Sequence, residues 1–371
     1  MKKNNTIEAF FALLRAGLWE QNVYLSEYGH VDFLKIEQFS QEQTTVGLIA
    51  AGLEHVKDVK VPQEVVLQFV GQALQIEGQN KAMNQFIAGL VEKMRSAGIY
   101  TLLLKGQGIA QCYDRPLWRS CGDVDFFLSD ENYNKARAYL LPMASSVEKE
   151  GKYGHLEMMI DLWVVELHKR LRCSISNRIN KELESVQYDI FMGGSVRSWM
   201  DERTQVFLPG ADGDVLYVFF HFLNHFYKGG VGLRQICDWV RLLWTYRDTL
   251  DHRLLERRLR NAGVMTEWKA FGAFAVEYLG MPSEAMPFYS ADAKWKKKVD
   301  KICAFILEVG NMGHNRDMSY FNDKSYIMQK VISLGRRCGD LIRHARLFPL
   351  DSVKFFPNIM FVGIRNALNG E

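Results

Sequence analysis

"LLLKGQGIAQCYDRPLWRSCGDVDFFLSD", residues 102–130, is the stretch on which the reading of the chain turns. An apolar run stops at Lys105-Gly106, and a second apolar run opens with Asp123 and Asp125, one residue apart. Side chains alternate faces along a strand, so "DVDFFL" read as a strand points both carboxylates the same way, beside buried Val124, Phe126 and Phe127. Like charges held side by side repel unless something positive lies between them. The local pattern is strand ("IYTLLL"), glycine turn, helix start ("GQGIAQCY"), strand. A helix follows over "SDENYNKARAYLL", with Ser129 or Asp130 as its N-cap. "IDLWVVELH", residues 160–168, reads as a further strand.

On either side of this segment the periodicity is helical. "TIEAFFALLRAGLW" and "QEVVLQFVGQALQIEGQNKAMNQFIAGLVEKMRSAG" repeat apolar residues every three or four positions, and Gly98 is a helix stop. Beyond about 205, "GDVLYVFFHFLNHFYKGG", "GLRQICDWVRLLWTYRDTL" and "HRLLERRLRNAG" return to that pattern. The expected organisation is a helical region over 1–95, an α/β core over 96–205 and a second helical region over 206–371. With 371 residues, more than one structural unit is expected. The net charge of +3 argues neither for nor against an anionic partner. The six cysteines form no CxxC pair, which suits reduced thiols in a reducing compartment better than a disulfide framework or a zinc cluster. The N-terminal helix is interrupted by Glu8, Arg15 and Glu20, so it reads as amphipathic rather than as an export signal, and a cytoplasmic protein without membrane spans is expected.

Two carboxylates on one strand face suit Mg²⁺ (or Mn²⁺), a hard cation that takes oxygen ligands and is commonly shared with substrate phosphates. Two-metal sites, with ions about 3.5–4 Å apart, want a third acid. Glu166 in "WVVELHKRL" is the candidate; Asp161 is a rival, but it begins the strand and has the opposite parity. Gly106 would let backbone approach a triphosphate, with the N–H groups of the following helix start beside it. Lys105 and Arg119 are cations for phosphate oxygens, and Arg119 is the better shaped for a bidentate contact. His168 shares the face of Glu166 and either orients it, meets a phosphate, or is structural.

These residues resemble an uncharacterised branch of the nucleotidyltransferase superfamily. That branch carries a Lys-Gly loop, an Arg-x-x-Gly-Asp-x-Asp strand and a strand ending in an acid-Leu-His triplet. Here they are Lys105-Gly106, Arg119 with Gly122-Asp123-Val124-Asp125, and Glu166-Leu167-His168. "GLRQICDWVRLL" looks like the family's helical region, with Arg234 and Asp238 fitting its pattern. Polymerase-β-like relatives have Gly-Ser where this chain has Lys-Gly, so its grip on a triphosphate departs from theirs. The resemblance implies transfer of a nucleoside monophosphate from an NTP to an acceptor, with loss of pyrophosphate. Asp123, Asp125 and Glu166 would then be catalytic and metal-binding. Lys105, Gly106, Arg119, Gly122 and His168 would lie around the nucleotide. The acceptor is a small molecule, a nucleic acid or a protein.

Plainer readings stand beside these. Asp-x-Asp alone also fits a solvated strand end, Lys105 an exposed strand cap, and Glu166 an ordinary polar alternation. "GQGIAQ" falls short of a dinucleotide fingerprint, because Gln111 stands where a small residue belongs. A metal-dependent glycosyltransferase would explain Asp-x-Asp but not the Lys-Gly loop, and a non-catalytic nucleotide-binding protein of the same fold is a further alternative. His221 and His225 share a helix face, which reads as packing before it reads as a zinc pair. "KWKKK" (294–298) reads as a solvated helix face, and no basic–aromatic pattern marks a nucleic-acid surface. The fold expected is α+β: a small mixed β-sheet nucleotidyltransferase core flanked by N- and C-terminal helical regions.

Overall fold

The computed structural model describes residues 5–151, 153–311 and 325–368. Four helices come first: α1 (Asn5–Trp19), α2 (Phe33–Glu42), α3 (Val46–Glu54) and the long α4 (Gln63–Ser96). The α/β segment follows as β1 (Leu102–Leu104), α5 (Gly106–Ala110), β2 (Asp123–Phe127), α6 (Asp130–Leu140), β3 (Ser146–Val147), β4 (His155–Ile160) and β5 (Trp163–His168). After α7 (Asn177–Phe191) comes a hairpin of β6 (Val196–Asp201) and β7 (Thr204–Pro209). The described remainder carries helices: α8 (Ala211–Lys228), α9 (Leu233–Tyr246), α10 (His252–Ala262), α11 (Met265–Glu277), α12 (Ala293–Val309), α13 (Tyr326–Ala345) and α14 (Pro349–Leu368). The protein is thus α+β, as its periodicities indicate. Among the described residues no helix is long and apolar enough to cross a membrane.

The sheet order is β1-β2-β5-β4-β3. Only β2 and β5 run parallel; the other neighbours are antiparallel. A parallel pair needs a crossover, and α6 with the β3–β4 strands supplies it. Each sheet face has its own core. Val124, Phe126, Val165 and Leu167 pack with Met83, Ile87 and Leu90 of α4 and with Tyr133 and Leu140 of α6. Phe127, on the other face with Asp123 and Asp125, joins the large helical core and lies 4.7 Å from Phe191, ring centre to ring centre. The carboxylate face therefore looks toward the helical body, which is what can bury the site.

Local chemistry sets several boundaries. Gly98 takes φ +70 directly after α4, the left-handed stop its position suggested. The Ser129 hydroxyl caps α6 by accepting from the Asn132 N–H at 3.4 Å, and Asp130 and Glu131 sit in the first turn.

Three expectations are corrected. The strand expected over 160–168 is two strands: Ile160 ends β4 and β5 starts at Trp163, with Asp161 in the turn at φ +53. Asp161 is thereby removed from the carboxylate face. The helix expected over "GQGIAQCY" is only the five-residue α5, so it carries too few aligned peptide dipoles to act as a strong anion site. The β6–β7 hairpin was not expected. Its Val206 and Leu208 extend the smaller core, and Leu208 packs so close to Gly108 that a Cβ there would lie 2.7 Å from its methyl. In "KWKKK", Trp295 is buried on α12 while Lys294, Lys296 and Lys297 are exposed, which agrees with the solvated-face reading.

Candidate active site

The site is built from the β2–β5 pairing. Asp125 stands directly opposite Glu166, and Asp123 opposite Val164. Because the pair is parallel and in this register, Asp123, Asp125 and Glu166 share one face. One carboxylate oxygen from each lies within 4.8 Å of the others. β4 extends the face: His155 opposes His168, and Glu157 opposes Glu166.

The positive charge between the acids is Lys105. Its Nζ lies 2.8 Å from Asp125 Oδ1, and its side chain is largely buried. Burial alone would lower its pKa, but Asp125, with Tyr217, Asp123 and Glu166 behind it, raises it instead, so the ammonium stays charged. Lys105 is the residue before α5 and has φ +49; Gly106 follows at φ +43. A Cβ on Gly106 would sit 3.2 Å from Cys121 Sγ, in a backbone region L side chains rarely adopt, which gives the Lys-Gly pair its glycine. At Gly122 a Cβ would meet nothing within 4 Å, so no steric need keeps that glycine.

His168 Nε2 donates to Asp125 Oδ1 at 2.7 Å and lies 3.2 Å from Glu166 Oε2; His155 Nε2 lies 2.9 Å from the same oxygen. Burial opposes charge on His168, but its two carboxylate partners raise its pKa. Burial would likewise raise Glu166. The bonds from His155 and His168, aided by Lys105, overcome this and hold Glu166 well below the usual carboxylate range. Asp123 differs. Burial and then the neighbouring Asp125 push its carboxyl up, against Lys105. Among the described residues the Asp123 carboxylate has no hydrogen bond or ion pair.

Asp125 is 1% exposed, and its Oδ1 carries both Lys105 and His168. Its Oδ2 is buried with no partner. An orphaned buried acceptor costs about 1–3 kcal/mol. Three clustered carboxylates, one of them unpaired and one with a buried vacant oxygen, form an oxygen-rich donor set that fits a divalent cation such as Mg²⁺.

Arg119, whose guanidinium is expected to meet a phosphate, is engaged elsewhere. It is 4% exposed, and its Nε and Nη2 donate to Asp238 Oδ1 and Oδ2 at 2.9 and 2.6 Å. The Tyr113 hydroxyl donates to Asp238 Oδ1 at 2.7 Å. The pair locks the 111–122 loop to α9. Asn80 of α4 clasps the same loop, donating to the Leu117 and Arg119 carbonyls at 2.7 and 2.8 Å. Arg234 is the cation left nearer the acids. It donates to the Ser120 carbonyl at 2.9 Å, its Nε is buried without a partner, and its charge acts on Asp123.

Three residues escaped sequence reasoning, His155, Glu157 and Tyr217, and a fourth, Arg234, stood out there only as fitting the family's helical pattern. His155 and Glu157 lie on β4, which had not been recognised as a strand; the same-parity His155 and Glu157 in "HLEMMI" were the available signal. Tyr217 and Arg234 come from α8 and α9, and the electrostatics of Lys105 and Asp123 register them. His221 and His225 do share a face of α8, with Nε2 atoms 3.1 Å apart. Burial, and then Lys105, lower both pKa values, His225 to about 4, so both rings are neutral. Among the described residues no third His, Cys, Asp or Glu gathers with them.

Fold and site together define a mixed-sheet protein that presents an acid cluster on paired parallel strands. The chain belongs to a protein family described as "uncharacterised nucleotidyltransferase", whose model matches residues 30–280. That family points to transferase chemistry on nucleotides in general. No curated protein matched the chain, and no solved structure did.

Proposed function

We propose that the protein is a divalent-metal-dependent nucleotidyltransferase, moving an NMP group from an NTP to an acceptor and releasing pyrophosphate. The observation that carries this is the register that sets Asp125 against Glu166, with Asp123 beside them, on the face turned toward the helical body. Asp123, Asp125 and Glu166 would hold Mg²⁺ or Mn²⁺. A divalent ion there supplies neutralisation of the triphosphate's charge and makes an acceptor hydroxyl more acidic.

The chain's own groups have distinct parts. Lys105 carries a fixed positive charge beside Asp125 and can move it to a phosphate oxygen when a cation takes its place. Arg234, with its vacant Nε, takes the phosphate role first assigned to Arg119. Gly106 keeps the Lys105 backbone close against β2. Glu166, kept ionised by its histidines, accepts the hydrogen bond of the acceptor hydroxyl and aims its oxygen at the α-phosphorus. The new bond is acceptor oxygen to α-phosphorus; the bond broken joins that phosphorus to the bridging oxygen of the leaving pyrophosphate; the acceptor proton passes to solvent. Positioning and charge neutralisation supply most of the rate in such transfers, so no covalent enzyme intermediate is needed.

The test is pyrophosphate release with each NTP and Mg²⁺ across an acceptor panel of sugars, aminoglycoside-like amines and alcohols, nucleic-acid ends and protein hydroxyls. Release that requires one acceptor and the metal supports the proposal. Metal-dependent NTP binding without turnover in the whole panel favours the non-catalytic alternative. Preference for nucleotide sugars over NTPs favours a glycosyltransferase.

A further inference from the structure

We propose that His155, Glu166 and His168 form a second metal subsite, which takes a borderline transition-metal ion such as Zn²⁺ or Co²⁺ rather than Mg²⁺. Two imidazoles and one carboxylate are a donor set suited to such ions, whereas all-oxygen sets suit Mg²⁺.

The geometry is that of donors already gathered round a point. Glu166 Oε2 is 2.9 Å from His155 Nε2 and 3.2 Å from His168 Nε2, and one donor atom from each of the three residues lies within 4.8 Å of the others. Ligands bound at about 2.0–2.2 Å around a tetrahedral ion lie about 3.3–3.6 Å apart, a few tenths of an ångström beyond these separations. The scaffold is rigid: His155 and His168 are paired opposite each other on antiparallel β4 and β5, and Glu166 is two residues from His168 on the same face. Their rings lie 4.9 Å apart, centre to centre. An ion has a way in, because the His155 side chain is 48% exposed while Glu166 and His168 are mostly covered.

The same His168 Nε2 donates to Asp125 Oδ1 at 2.7 Å, so an ion bound at this nitrogen would displace that proton. Glu166 belongs to both clusters, so the two subsites would share one carboxylate and lie side by side, one nitrogen-rich and one all-oxygen. The inference touches the proposed nucleotidyl transfer through Glu166 and the two histidines that keep it ionised, and it predicts metal binding by the chain with no nucleotide present.

The experiment uses the full chain stripped of metal with a chelator and titrated with Co²⁺, read by visible absorption and calorimetry. Wild type is expected to bind Co²⁺ with the absorption of a nitrogen-ligated ion. His155→Gln and His168→Gln should each weaken that binding at least about ten-fold, and Asp123→Asn should keep the absorption. His155 is exposed enough for its variant to fold, and the thermal melt of each variant checks this. Co²⁺ affinity equal to wild type in folded His155→Gln, or absorption lost in Asp123→Asn but kept in both histidine variants, would overturn the inference. If NTPs never bind yet Co²⁺ binding depends on both histidines, this subsite stands and the proposed function falls.

Discussion

Lys105 Nζ lies 2.8 Å from Asp125 Oδ1, and this ion pair sets a buried positive charge among three packed acids. Breaking a buried pair by removing one partner costs about 3–5 kcal/mol. Lys105→Met should therefore lower the thermal midpoint clearly in metal-free buffer. Because a divalent ion can replace the missing charge, saturating Mg²⁺ should raise the midpoint of Lys105→Met more than that of wild type. Equal metal responses in differential scanning fluorimetry would show that Lys105 and a cation do not exchange at Asp125.

Arg119 makes a different case, since its fork is closed on Asp238. Arg119→Lys keeps the charge but cannot reproduce two parallel bonds. A loss on the order of 3 kcal/mol is expected, visible as a lower urea midpoint. In the variant that remains folded, NTP affinity should stay within about two-fold of wild type. A folded Arg119→Lys that no longer binds nucleotide would return Arg119 to the phosphate.

Glycine substitutions separate the two glycines of the motif. Gly106→Ala places a Cβ 3.2 Å from Cys121 Sγ at φ +43 and should destabilise by roughly 1–3 kcal/mol. Gly122→Ala points into open space and should melt within a degree or so of wild type. Identical melts for the two variants would contradict the backbone assignment of the Lys-Gly turn.

Much of this was legible in the chain because it depends on neighbours in sequence. Alternation in "DVDFFL" predicted the face shared by Asp123 and Asp125, parity chose Glu166 over Asp161, and Ser129 announced α6. What could not be read depends on distant partners or weak local signals. Arg119 is a good phosphate ligand by type, and only the fold brings Asp238, 119 residues away, into its fork. Nothing local marks where β4 turns into β5, because Ile160-Asp161-Leu162-Trp163 continues an apolar pattern and the break comes from the positive φ at Asp161. Losing that turn also lost His155 and Glu157. Phe10 of α1, Phe127 of β2 and Phe219 of α8 belong to one continuous core, a long-range fact that periodicity does not encode.

Far from the site, Glu267 supplies a pH dependence. It is fully buried on α11, the Tyr227 hydroxyl donates to its Oε1 at 2.9 Å, and its Oε2 has no partner. Burial, and then Asp351, push its carboxyl from 4.5 up to about 8. A carboxyl raised in the folded state holds a proton there that the unfolded chain releases. Between those two values stability therefore falls as pH rises, by up to about 1.4 kcal/mol per unit. Glu267→Gln keeps the shape and the acceptor oxygen without the charge. It should melt close to wild type near pH 5 and several degrees above it near pH 8.5. A gap between the two proteins that does not change with pH would refute the buried-acid assignment.

The most direct measurement of the three-carboxylate site is calorimetric titration of a non-hydrolysable NTP into wild type and into Asp123→Asn/Asp125→Asn, each with and without Mg²⁺. Wild type is expected to bind far more tightly with the metal than without it. The double variant loses the charge partner of Lys105 along with one repelling carboxylate, so it should melt below wild type while remaining folded, and should show no metal-dependent binding. Metal-dependent binding that survives intact in the folded double variant would contradict the claim that these acids hold the ion.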